Sequence, residues 1–200
     1  MTAPAPLSAA ILVGGQSRRM GRTKALLRLD PDGPTVVETI ARTLDEIAEE
    51  VLLVGEAPAA DYAFLGLRQV PDLVPGAGAL GGIHAAVRAA RHACVLVVAC
   101  DMPFLNPALL RYMASLPRGW DALVPLLGQT QTAHAIYARS ALPLIEASLA
   151  ARRFRTTSWF ARGSIRIVPR AAIAAIDPSL RSTFNMNAPE DLALARRLAR

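Results

Sequence analysis

The sequence predicts one α/β domain, a mainly parallel sheet with helices on both faces. Continuous apolar runs such as residues 9–13 and 94–99 have the composition of strands buried on both sides. Segments of helical period separate these runs, the alternation that builds parallel sheets. The chain of 200 residues shows no internal repeat, long linker or low-complexity tract, which fits one domain.

Taken in order, residues 9–13 form a buried strand closed by Gly14-Gly15. Over residues 35–50, Val36, Val37, Ile40, Leu44 and Ile47 recur with a 3.6-residue period, predicting an amphipathic helix. Residues 51–54 and 67–70 read as strands. Residues 83–91 are helical and feed 94–99, the most strand-like segment of the chain. Asn106, ahead of Pro107, is placed to cap a helix running to Leu116. Residues 122–127 and 134–137 are further strands, and 141–151 and 188–198 further helices. Asn187 with Glu190 has the spacing of a capping box, with Pro189 and Asp191 in the same first turn.

Composition excludes several classes. Apolar residues make up 52%, but 38 are alanine, so the figure overstates the core. Charged residues at 19% are too few for a disordered chain. The longest apolar run, residues 93–100, falls far short of the roughly 20 residues of a membrane span. No basic residue precedes the apolar stretch of the first ten, unlike a secretory leader. Cys94 and Cys100, six apart on one run, share a strand face and are too far apart to bond. They read as core residues of a reducing cytoplasm. His84, His92 and His134 are scattered and form no zinc pattern.

Charge is uneven. Of 22 positive residues 21 are arginine, and Lys24 is the sole lysine. Residues 152–200 hold ten arginines against three acids, net +7, while the rest nets −1. Such a quarter suits a phosphorylated small molecule better than nucleic acid, because 5% aromatic residues leave little for base stacking. Neither nucleic acid nor membrane is an expected partner.

The chemistry concentrates in loops after strands. Residues 12–24 leave the first strand through two glycines and carry three arginines, Lys24 and no acid. Glycines let backbone N–H groups approach phosphate oxygens, and the cations offset their charge. The spacing is neither a Walker A loop, since Lys24 lies three past Gly21 and precedes Ala25, nor G-x-G-x-x-G. Asp101 in Cys100-Asp101-Met102-Pro103 falls beyond the end of the apolar strand, where parallel sheets bind ligands. One carboxylate facing a phosphate loop suits Mg²⁺, which is held by one or two carboxylates plus phosphates. Asp72 after Pro71, and the glycine-rich residues 76–82 before a helix, point to the same edge. Capping explains Asn187 but not Asn185. No nucleophile arrangement accompanies Ser17 or the cysteines. Transfer of a nucleotidyl group to a phosphate of the acceptor needs none.

The set Leu-Val-Gly-Gly-x-Ser-x-Arg-Met-Gly-x-x-Lys, Pro-Asp, the Gly78–Gly82 loop, Cys-Asp-Met-Pro and Asn-x-Asn-x-Pro-Glu-Asp-Leu, in this order, resembles the molybdenum cofactor guanylyltransferases from about Ala10 to Leu192. The resemblance implies one Rossmann-like nucleotidyltransferase domain over residues 1–200, with a nucleotide half at about 8–105 and a pterin side at about 106–200. It implies transfer of GMP from GTP to molybdopterin, release of pyrophosphate and a need for Mg²⁺. Carried over, Leu12, Val13, Gly14 and Gly15 line the nucleotide, and Lys24 meets its phosphates. Asp72 contacts the nucleoside, and Asp101 binds nucleotide and Mg²⁺. Gly78 and Gly82 shape the cleft, while Asn185 and Asn187 lie on the molybdopterin side. The backbone from Leu12 to Gly14 is expected to offer guanine a C=O and N–H pair, and His134 reads as a core residue or a support behind the site. Proteins that insert or accept the molybdenum cofactor are the expected transient partners. The chain departs from the family pattern at Val13, Thr23, Gly55 and Ala79. A cytidylyl or sugar-phosphate nucleotidyltransferase, or a nucleotide-binding regulatory module without turnover, remains the alternative at this level.

Overall fold

A computed structural model describes residues 5–14, 24–56 and 59–199. Strands β1 (Ser8–Leu12), β2 (Glu50–Val54), β3 (Arg68–Val70) and β4 (Cys94–Ala99) run parallel, in the order β3-β2-β1-β4. Past β4 comes β7 (His134–Ala138), antiparallel to both β4 and β5 (Ala122–Leu127). The short β6 (Gln129–Thr130) folds back on β5, and β8 (Ile165–Val168) pairs parallel with it. The sheet is therefore mainly parallel and carries one inverted strand in its middle.

The one-turn α2 (Ala59–Tyr62) lies between β2 and β3, and longer helices cover both faces of the sheet. On one side α1 (Val36–Asp45), α4 (Pro107–Ser115), α6 (Arg170–Ile176) and α7 (Pro189–Leu198) pack against Ile11, Leu53, Leu96, Val98 and Ile136. On the other, α3 (Gly78–Ala89) and α5 (Leu142–Ala150) pack against Ala10, Leu52, Val95, Val97 and Tyr137. Alternate residues of β1 and β4 thus enter opposite layers, which is why residues 9–12 and 94–99 are all apolar, while the buried Ser8 at the start of β1 donates its hydroxyl to Glu50 Oε2 at 2.7 Å.

Three expectations need correction. The α1 helix ends at Asp45, and Ile47 reaches the core from the turn that follows, where Glu49 N donates to Leu7 O at 3.0 Å. The α3 helix begins at Gly78, not Ile83, so five of the seven residues of the glycine-rich segment 76–82 are helical. The cap of α7 is Ala188, not Asn187: the Asp191 carboxylate, not Glu190, accepts Asn187 N at 2.7 Å and Ala188 N at 2.8 Å. Asn106 does cap α4, accepting Ala108 N at 2.9 Å and Leu109 N at 3.2 Å.

Candidate active site

The chain leaves β1 for β2 on one side and later returns as β4 on the other. Between β1 and β4 the order reverses, and open α/β sheets bind ligands in the crevice beyond such strand ends. Val13-Gly14, Gly55, Pro71-Asp72 and Cys100-Asp101 all follow strands at this edge, and His134 begins β7 there.

The end of β1 is held by its neighbours. Val13 N donates to Val54 O at 2.8 Å, and Cys100 N donates to Leu12 O at 3.2 Å. These bonds engage one carbonyl and one N–H of the Leu12–Gly14 backbone, the stretch expected to offer guanine such a pair. Gly55, with φ +141°, lies so close that a Cβ on it would fall 1.6 Å from Val13 O. Only glycine fits there. Gly82 is buried, and a Cβ there would sit 3.1 Å from Leu12 Cδ2, so α3 rests directly on Leu12. Gly78, at φ +59°, is exposed at the start of the same helix.

Lys24 opens a 3-10 turn, Lys24–Leu26, and points back over the sheet edge. Its Nζ lies 3.6 Å from Asp101 Oδ2 and donates to Asn187 Oδ1 at 3.1 Å. Asp101 O accepts Met186 N at 2.9 Å, so the segment after α6 straps across the end of β4. Burial raises the Asp101 carboxyl above its ordinary range, opposed by the Lys24 ammonium. Its Oδ1 is buried without a hydrogen-bond partner among the described residues. Cys100 is pushed up to about 12, first by burial and then by the Asp101 charge, which leaves it unreactive as a nucleophile.

The other predicted residues lie around this centre. Asp72 turns to its own loop, accepting Val74 N at 3.0 Å, with its carboxylate against Gly81 in the first turns of α3. Asn185 Nδ2 donates to Thr183 O at 3.0 Å. Gly15, with Ser17 and the three loop arginines, lies outside the described residues. His134 is fully buried, both ring nitrogens lack partners among the described residues, and burial lowers it to about 4 against the opposing charge of Asp177.

The basic quarter divides. Arg196, Arg181 and Arg166 bond backbone carbonyls of Arg28, Leu198 and Pro117. Arg152, Arg153 and Arg155 are exposed in the loop after α5, where Thr156 meets Thr132 at 2.9 Å, two residues before β7. These three bring positive charge toward the strand-end edge.

Residues 9–164 match the model of the MobA-like NTP transferase domain. The chain belongs to this family. A relative from Pelotomaculum thermopropionicum, named a probable molybdenum cofactor guanylyltransferase, is 40% identical over 94% of this chain and 91% of its own. One from Desulfosudis oleivorans, named a molybdenum cofactor guanylyltransferase, is 30% identical over 92% of each. Among solved structures, molybdopterin-guanine dinucleotide biosynthesis protein A of Archaeoglobus fulgidus superposes with a TM-score of 0.81 at 27% identity, covering 96% of this chain and 98% of that one. A Thermus thermophilus methylerythritol phosphate cytidylyltransferase shares the fold, with a TM-score of 0.64 at 21% identity. This MobA-like chain is thus a nucleotidyltransferase with the Rossmann-like sheet of its family. Sequence reasoning missed the Lys24–Asn187 contact because it assigned Asn187 to the cap. The signal was Asp191, three residues past Ala188 and equally able to cap.

Proposed function

We propose that this chain joins GMP from GTP to molybdopterin with release of pyrophosphate. The observation that carries the reading is the meeting of Lys24 and Asp101, 3.6 Å apart, at the crevice between β1 and β4. A cation and a carboxylate at a strand-end switch point suit a triphosphate and its metal. The guanylyl and molybdopterin assignments draw on the names of relatives that match over nearly the whole chain.

In this reading an acceptor phosphate oxygen attacks the α-phosphorus of GTP, and the bond to the β,γ-pyrophosphate breaks. Lys24 Nζ neutralises charge that builds on the leaving phosphates, and the strand-end loops fix the line of attack. The exposed Arg152, Arg153 and Arg155 draw in the phosphorylated pterin by charge. Asp101 fits Mg²⁺: its Oδ1 is a buried hard oxygen with no other partner among the described residues. Among those residues no group of three or more His, Cys, Asp or Glu gathers, so phosphate oxygens would complete the shell. Bound there, Mg²⁺ would supply charge neutralisation across the phosphates. No helix among the described residues is long and apolar enough to cross a membrane, and we place the reaction in the cytoplasm.

Incubation with molybdopterin, Mg²⁺ and GTP labelled at the α-phosphate tests the reading. Label should move into a pterin dinucleotide as pyrophosphate appears. Label that stays in GTP, with GTP bound, would leave a regulatory nucleotide-binding module.

A further inference from the structure

Asn187 is exposed, and its backbone N–H, not its side chain, joins the cap of α7. The side-chain oxygen is therefore available, and it accepts Lys24 Nζ at 3.1 Å. The segment carrying it is anchored on both sides. Met186 is fully buried and donates its N–H to Asp101 O, while Asp191 holds Asn187 N and Ala188 N. A second tie runs in the same direction: the Arg196 guanidinium of α7 donates to Arg28 O at 3.2 and 3.4 Å, four residues past Lys24. The α7 helix and the residues that lead into it thus hold the Lys24 segment at two points.

We propose that Asn187 is a positioning residue for Lys24. An ammonium on a flexible four-carbon stem has three N–H donors. Asn187 Oδ1 takes one and Asp101 Oδ2 draws another, so the third is left for a phosphate oxygen. The amide thereby fixes the cation beside Asp101 before the nucleotide arrives. The consequence for turnover rests on the nucleotidyl-transfer reading, whereas the contact itself does not.

Lys24 is the only lysine, so an amine-acylating reagent marks Lys24 and the chain terminus, which peptide mapping separates. Asn187→Ala retains the backbone cap and should fold. It should raise the rate of Lys24 acylation about tenfold or more, the loss of one charged hydrogen bond. It should also lower kcat/KM for GTP about tenfold with KM for molybdopterin unchanged, and add nothing in a Lys24→Ala background. Unchanged acylation would overturn the proposal. So would a defect confined to the molybdopterin KM, which would make Asn187 a ligand of the acceptor. If the unaltered protein used no GTP, the transfer reading would fail while acylation still decided the contact.

Discussion

The carboxylate of Asp72 occupies the space that a side chain at Gly81 would need. A Cβ built on Gly81 would lie 2.7 Å from Asp72 Oδ1 and 2.8 Å from Oδ2. The acid that follows β3 therefore rests on the fourth residue of α3, near the positive end of that helix. Alanine elsewhere in a helix gains up to about 1 kcal/mol over glycine, but here it must displace Asp72. Gly81→Ala should destabilise by about 1–2 kcal/mol in urea denaturation, and the same change in an Asp72→Ala background should cost less, since only the 3.1 Å approach to Ala77 Cβ remains. Equal effects in both backgrounds would show that the two positions do not compete.

Lys24 and Asp101 carry the charge of the site. Lys24→Ala should lower turnover by about 10²-fold with the fold intact, as expected when a cation on developing phosphate charge is removed. Asp101→Asn keeps the shape but loses the charge that would hold Mg²⁺, so steady-state activity should collapse, and chelation of the metal should abolish it in the unaltered protein. Full activity of Asp101→Asn at ordinary Mg²⁺ would contradict the assignment.

His134 sets an acid limit on stability. The unfolded imidazole binds a proton near 6.5, while the buried one does so only at about 4. Between these values the unfolded chain holds more protons, so stability is full above 6.5 and falls with pH toward 4. The loss attributable to this residue should reach about 3 kcal/mol. His134→Leu removes two buried nitrogens that have no partner among the described residues and should flatten that part of the curve without unfolding the protein. An unchanged pH dependence in equilibrium denaturation would show that other groups set the limit.

Much of this architecture is legible in the residues alone. Residues 94–99 and 122–127 are strands to the residue, because residues 94–98 and 122–125 are buried on both faces and every position is apolar. Glycines at 78, 81 and 82 hid the start of α3, since local propensity opposes a helix that tertiary contact with Asp72 and Leu12 imposes. Ile47 prolonged the period of α1 past its end because a turn residue also reaches the core. The segment with β8 and α6 went unread: β8 exposes Arg166 and Ile167, and α6 buries only Ile173. Of the site, Lys24 and Asp101 were legible from their unusual place in the chain. The partner of Lys24 lies 163 residues away, and no local pattern predicts that contact.

Base choice tests the central claim most directly. Guanine presents N1–H and N2–H₂ donors beside the O6 acceptor, and a buried site built to pair with them discriminates by about 10⁴-fold against a base that leaves them unpaired. Leu12 O and Val13 N already bond their neighbouring strands at the edge of this crevice. Pyrophosphate release with molybdopterin as acceptor should be measured side by side for GTP, CTP, ATP and UTP. The account predicts release with GTP far above the other three. Equal or better release with CTP would contradict it and make the enzyme a cytidylyltransferase.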